Sequence, residues 1–109
     1  FRRVLFRSTR SNVAGCLRDS GSLDQAEAVY RNVQDSFERL GAPDHPFAVY
    51  TVGNMGRTLM LREDERSSSG RDAVADARRR LVSPPHSLPD THPWLVKFSN
   101  WLAETAVVS

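Results

Sequence analysis

The chain has one cysteine, Cys16, and no run of apolar residues that approaches the length of a membrane span. A spanning helix needs roughly 18–20 apolar residues, and a single cysteine excludes a disulfide within the chain. Nothing near the start resembles a signal peptide. These absences predict a cytoplasmic protein without a membrane partner. We expect Cys16 to be a small core residue rather than a reactive thiol, since unpaired cysteines commonly pack among apolar neighbours.

A slight excess of basic residues is confined to one end of the chain. The 109 residues carry 15 basic and 13 acidic side chains, which gives a net charge of +2. Three arginines lie in the first eight residues, FRRVLFRS, and without them the balance is 12 basic against 13 acidic. We therefore expect no nucleic-acid partner. FRRVLFRS also matches what one reading frame of a common sequencing adapter would encode. We interpret residues 1–8 as an assembly artefact on a fragment and exclude them from the predicted fold.

Apolar residues recur at helical spacing along the chain, and no segment alternates as a strand would. The clearest stripe runs from Leu23 to Leu40, in steps of three and four residues. Ser22 and Gln25 form a capping-box pattern at its start, and Gly41 ends it. Gly21 is expected to cap the preceding helix in a left-handed conformation. The predicted helices cover residues 9–20, 23–40, 46–60 and 71–82 and continue from 91 onward, with a loop at 62–70 and a proline-rich linker at 83–89.

Two glycines, Gly53 and Gly56, lie inside the third predicted helix. Each would cost an exposed helix about 1 kcal/mol relative to alanine. Small residues let two helix backbones approach closely. We therefore expect another helix to cross the third one at these positions.

A His-Pro turn occurs twice and indicates an internal repeat. His45-Pro46 returns as His92-Pro93, 47 positions later. The first helices align at an offset of 42, and both Ala26 to His45 and Ala73 to His92 span 19 positions. We therefore predict that the second helices match without a gap, with the insertion in the 62–70 loop. Helix pairs of this kind must stack to bury their apolar stripes.

No arrangement of side chains predicts catalysis. His45 and His92 lie one repeat apart, too far to share a metal ion, so we expect each of them to cap a helix or pack in its turn. No nucleophile elbow and no phosphate-binding glycine loop occurs. The chain is therefore not expected to be an enzyme, and no catalytic residue, cofactor or metal ligand is assigned.

Three further clusters have a structural and a functional interpretation. The arginines at 78–80 are interpreted as a solvated helix end, with phosphate contacts as the alternative. The aromatic residues Trp94, Phe98 and Trp101 are interpreted as core, with an aromatic binding platform as the alternative. The serines at 67–69 are interpreted as an exposed loop, with phosphorylation as the alternative.

Three motifs together resemble the tetratricopeptide repeat of the kinesin light chain type. They are N-V-A-x-x-L-x-x-x-G at 12–21, L-D-Q-A-E-A-x-Y at 23–30 and L-G-A-P-D-H-P at 40–46. The family's repeats are joined by a Gly-x-x-His-Pro turn. The resemblance covers residues 9–109. It is strongest in the first repeat, departs from the pattern in the second, where Gly56 replaces the usual alanine, and in the third is confined to the first helix.

The resemblance implies an all-α fold of stacked antiparallel helix hairpins. These would form a short right-handed superhelix, an α-α solenoid, of about 2.5 repeats. Repeat one would cover about 9–43, repeat two about 44–89 and a partial third repeat about 90–109. The chain would be a scaffold fragment of a larger protein.

The resemblance also implies that the first helix of each pair lines a concave groove for a peptide or protein partner, with no small-molecule substrate. Asparagine can donate to and accept from a peptide backbone, and arginine can pair with acidic ligand residues. The alternative is a regulatory repeat appendage of a multidomain enzyme or signalling NTPase, with no activity in this segment. The groove candidates carried over by motif position are Asn12, Arg18, Asn54, Arg57 and Asn100.

Overall fold

A computed structural model describes the backbone of residues 2–62 and 64–107 and the side chains of 9–62 and 64–104. This part of the chain is helical and contains no strand, which confirms the predicted all-α class. None of the described helices is both long enough and apolar enough to cross a bilayer. The helices are α1 (Arg2–Asp19), α2 (Leu23–Arg39), α3 (Pro46–Met60), α4 (Arg66–Val82) and α5 (Pro93–Val107).

Two helices begin earlier than predicted. α1 begins at Arg2 instead of residue 9, and no glycine or proline between 2 and 9 interrupts it. α4 begins at Arg66 instead of residue 71, so the prediction of a loop over 62–70 is wrong for its second half. Polar composition is a weak guide because tertiary packing overrides propensity. In α4 the packing involves Gly70, which is buried against α3 and belongs to the segment predicted as a loop.

Both turns after the first two helices are closed by a glycine in the left-handed region. Gly21 has φ 89° and Gly41 has φ 69°, as expected for C-terminal caps. After Gly21, the backbone N–H of Ser22 donates to the carbonyl of Leu17 at 2.8 Å. The predicted capping box at the start of α2 is wrong, because the Ser22 side chain makes no capping hydrogen bond. The Schellman closure of α1 fixes this short turn instead.

Both histidines of the repeated turn cap the helix that follows, which confirms the capping interpretation. The Nδ1 atom of His45 accepts a hydrogen bond from the backbone N–H of Phe47 at 3.1 Å. His92 accepts in the same way from Trp94, also at 3.1 Å. No cluster of three metal-binding side chains occurs among the described residues.

The buried faces of α2 and α4 repeat at an offset of 44 rather than the predicted 47. The gapless match of Ala26 with Ala73 is therefore wrong. The extra residues of the second repeat are divided between the turn before α4 and the linker after it. The buried residues of α4 therefore lie about one helical turn earlier than the predicted alignment with α2 placed them. The buried series are Ala26, Tyr30, Val33 and Phe37 in α2 and Gly70, Val74, Ala77 and Leu81 in α4.

Each helix packs against the next one in the chain, and α3 also contacts α1 and α5. The three helices that begin each pair therefore lie side by side. The largest core cluster joins α3, α4 and α5, and two smaller clusters join α1 to α2 and α2 to α3.

Glycines allow the close crossing of α3 and α4, as the sequence predicted. A Cβ atom added to Gly56 would lie 2.6 Å from the carbonyl oxygen of Gly70. One added to Gly70 would lie 2.5 Å from the carbonyl oxygen of Gly56. At Gly53, an added Cβ would collide with the ring of Phe98 from α5. The backbone separation in this part of the fold thus depends on residues without side chains.

Candidate binding surface on the first helices

The surface shared by α1, α3 and α5 contains an open cleft of about 350 Å³. We call this surface the first-helix face and the cavity the first-helix cleft. Asn12 and Arg18 line the cleft from α1, Tyr50 and Asn54 from α3, and Lys97 from α5. Asn12, Arg18 and Asn54 are three of the five groove candidates, and all three line this cleft. A fourth, Arg57, lies close by on α3.

Arg18 connects all three helices of the face. Its side chain is only 11% exposed. Nη1 donates to Oδ1 of Asn54 at 3.1 Å, and Nε donates to Oδ1 of Asp19 at 3.1 Å. The guanidinium carbon lies 5.1 Å from the ring centroid of Trp101 on α5. Arg18 is thus part of the structure of the face, and its guanidinium already has an acidic neighbour.

Asn54 lines the cleft but is 5% exposed. Its Nδ2 donates to the backbone carbonyl of Tyr50 at 2.9 Å, while Oδ1 accepts from Arg18. Both ends of the amide are therefore satisfied within the chain. This geometry makes Asn54 a positioning residue for Arg18, and a ligand would have to displace Arg18 to reach Oδ1.

Arg57 also approaches the indole of Trp101. Its guanidinium carbon is 5.6 Å from the ring centroid of Trp101, and Nη2 forms an ion pair with Glu104 at 2.8 Å. The indole therefore has two guanidinium groups within cation–π distance, each of them also paired to an acidic side chain. This arrangement connects the middle and last helices of the face.

The two remaining candidates are exposed asparagines. Asn12 lies beside the cleft on α1, where its amide is accessible. Asn100 is exposed on α5 and lines none of the described clefts. The structure thus brings Arg18, Asn54 and Arg57 into one network around Trp101, places Asn12 next to it and leaves Asn100 apart.

Sequence reasoning missed two residues of the face. Tyr50 stacks on Trp94 with 4.3 Å between ring centroids, and Lys97 Nζ lies 3.2 Å from the Tyr50 hydroxyl. Lys97 follows Tyr50 by 47 positions, the same offset as the two His-Pro turns. The same offset, applied to α3 and α5, would have predicted that Tyr50 and Lys97 occupy equivalent positions on neighbouring helices.

Tyr30 forms the floor of the cleft from α2. It is 1% exposed, and burial raises the pKa of its phenol to about 12. The hydroxyl therefore stays protonated across the physiological range and lies 3.5 Å from Nη1 of Arg18. Its role is to fill the base of the cleft.

The aromatic residues of α5 divide between core and surface. Phe98 is fully buried, which confirms the core interpretation for this residue. Trp94 and Trp101 are half-buried and pack against the core from the first-helix face. The aromatic series is therefore both a core and a partly accessible wall.

The expectation that Cys16 is a core residue is wrong, because Cys16 is exposed. It lies on the side of α1 that borders the first-helix cleft and a neighbouring apolar patch. The apolar residues that flank it in sequence do not predict burial, since only one side of α1 packs against α2.

The arginine run near the end of α4 is neutralised by carboxylates. Arg80 pairs with Asp44 at 2.9 Å, Arg78 approaches Asp90 at 3.4 Å, and Arg79 pairs with Asp76. These contacts favour the interpretation of a solvated helix end over phosphate binding. The serines at 67–69 lie in the first turn of α4 rather than in a loop.

Comparison with protein-family models, with curated proteins and with solved structures gave no match. The resemblance to tetratricopeptide repeats is therefore carried by the three sequence motifs.

Proposed function

We propose that the chain is a short array of tetratricopeptide-like repeats that binds a peptide or partner segment along its first-helix face. In this proposal the hairpins form a short right-handed solenoid of about 2.5 repeats in the cytoplasm, and the chain performs no catalysis. The observation that carries the proposal is the contact of Arg18 with both Asn54 and Trp101. It makes one continuous surface of three helices that are distant in sequence.

The chemistry of the face suits an extended segment of polypeptide. Asn12 and Lys97 offer accessible polar groups, and the half-buried aromatic rings of Tyr50 and Trp101 lie on the same face. Aromatic and polar groups in this mixture are typical of surfaces that recognise peptides. The hydrogen bonds of Arg18 with Asn54 and Asp19 have a different role, because they position one wall of the cleft before a ligand binds.

The test starts with selection of peptides from a random library on the immobilised chain. Fluorescence anisotropy then measures the dissociation constant of a selected peptide for the wild type, Asn12→Ala and Lys97→Ala. We expect each variant to weaken binding about fivefold, the effect of one net hydrogen bond or screened ion pair. Asn32→Ala is the matched control, since Asn32 is exposed on α2 and borders no described cleft. Equal affinity for all four proteins would contradict a site on this face.

A further inference from the structure

Cys16 lies at the rim of a cleft that contains a hydroxyl group without a hydrogen-bond partner. Ser11 lies about one and a half turns before it on α1 and lines the same cleft. Its side chain is only 9% exposed, and Oγ is buried and unpaired. A buried polar group without a partner is rare in native proteins, and it is costly unless something completes its hydrogen bond. The cleft thus pairs an accessible thiol with an unsatisfied polar group.

The cleft also carries an excess of positive charge. Arg18 and Lys97 line it, with Asp19 as the only acidic residue of the lining. Arg18 is hydrogen-bonded to Asp19 at 3.1 Å, so the two charges offset each other. Lys97 instead contacts the neutral Tyr50 hydroxyl at 3.2 Å, and the ion pairs found among the described residues do not include it. An acidic group in the cleft would therefore be attracted to Lys97.

We propose that Cys16 is a modification site that forms a mixed disulfide with a small acidic thiol compound, which then occupies the first-helix cleft. The cleft volume of about 350 Å³ lies within the range of small-molecule sites, about 300–1,000 Å³. Lys97 would attract a carboxylate of the attached group, and Ser11 Oγ would donate to one of its carbonyl oxygens. This inference goes beyond the proposed function, because it requires no peptide partner.

The reaction is thiol–disulfide exchange with a small disulfide as the co-reactant. Cys16 releases its proton to solvent, and the thiolate attacks one sulfur of the disulfide. A new S–S bond forms between Sγ and that sulfur while the old S–S bond breaks. The second sulfur leaves as a thiolate and takes up a proton, so the number of disulfides and of thiols is unchanged.

The test compares three disulfide probes on the reduced 109-residue protein: oxidised glutathione, which is anionic, bis(2-hydroxyethyl) disulfide, which is neutral, and cystamine, which is cationic. Intact-mass spectrometry follows adduct formation at low ionic strength. Each rate is divided by the rate of the same probe with N-acetylcysteine amide, which removes differences in intrinsic reactivity. We expect the normalised rate of the anionic probe to exceed that of the neutral probe about threefold, with the cationic probe slowest.

Two variants separate the roles of the cleft residues. Lys97→Gln should abolish the anionic preference and leave the neutral rate unchanged, whereas Arg39→Gln, an exposed change on α2, should have no effect. Ser11→Ala should lower the equilibrium yield of the glutathione adduct about threefold. Circular dichroism of each variant checks that its helix content is retained. Equal normalised rates for the three probes, or an unchanged preference in a folded Lys97→Gln variant, would overturn the proposal.

Discussion

Arg18 on α1 and Trp101 on α5 are separated by three helices in sequence, yet the guanidinium carbon lies 5.1 Å from the indole centroid. Asn54 holds the arginine in this position through a 3.1 Å hydrogen bond from α3. Through these two contacts Arg18 links α1 to both α3 and α5. These contacts explain why Arg18 and Asn54, both expected to contact a ligand, are nearly inaccessible to solvent.

Asn54→Ala should destabilise the protein, because Nη1 of Arg18 would lose its 3.1 Å acceptor in a place that water hardly reaches. We expect a loss of about 1–3 kcal/mol in the free energy of unfolding, the range for a buried polar group that loses its partner. Urea unfolding followed by circular dichroism measures it. Asn100→Ala is the matched control, because Asn100 is exposed and should change stability by less than about 0.5 kcal/mol. Equal effects of the two changes would contradict a positioning role for Asn54.

Arg62 connects the end of α3 to the start of α2 through two carboxylates. It donates to Asp24 at 2.5 Å and to Glu27 at 2.7 Å. The pKa of Glu27 is lowered, first by the hydrogen bond from Arg31 and then by that from Arg62. A lowered pKa stabilises the folded state fully above the ordinary glutamate value of 4.5. That contribution is lost as the pH falls through the folded-state pKa.

Arg62→Gln should therefore lower the free energy of unfolding near neutral pH. Its difference from the wild type should shrink progressively as the pH falls below 4.5. The measurement is the free energy of unfolding in urea at a series of pH values. Arg39→Gln on the exposed side of α2 is the control, and its difference from the wild type should stay small throughout. A stability difference for Arg62→Gln that does not shrink on acidification would exclude the ion pairs as its cause.

The sequence was sufficient to predict the number of helices, because apolar residues recur at helical spacing and three of the four connections between helices contain a glycine or proline. It was not sufficient to predict the start of α4. Residues 66–70 are polar, and their helical state depends on Gly70 fitting against Gly56 across the α3–α4 crossing. A contact between residues 14 positions apart leaves no local pattern.

The helices that carry the candidate residues could be predicted from the sequence, but the contacts of those residues could not. Asn12, Arg18 and Asn54 line the first-helix cleft, and Arg57 lies near Trp101 on the same face. Which of them point to solvent depends on the register between helices. The approach of Arg18 and Arg57 to Trp101 arises from packing between helices that are distant in sequence, so no local pattern reveals it.

The cap formed by His45 should stabilise the start of α3. His45→Ala removes the Nδ1 acceptor for the Phe47 N–H, and we expect a loss of about 1 kcal/mol, as for other N-caps. His45→Asn should retain most of the stability, since asparagine is a preferred N-cap residue. Thermal unfolding of both variants makes the comparison. If alanine and asparagine gave the same melting temperature, the Nδ1 hydrogen bond would not be stabilising α3.

Glycine-to-alanine changes should have opposite effects at two helical sites. Gly70→Ala places a Cβ atom 2.5 Å from the carbonyl oxygen of Gly56 and 2.8 Å from the nitrogen of Met60. Because backbone atoms cannot move aside as a side chain can, we expect a destabilisation of about 1–3 kcal/mol. The higher helix propensity of alanine, about 1 kcal/mol, offsets only part of the clash.

Gly15→Ala is the matched change in α1, where the nearest atom to an added Cβ is the Tyr30 hydroxyl at 3.7 Å. That is an ordinary van der Waals distance, so the propensity gain should remain and raise stability by up to about 1 kcal/mol. Urea unfolding of both variants gives the two signs directly. Stabilisation by Gly70→Ala would mean that α3 and α4 are not held at the separation described, because only a wider crossing could accept the methyl group.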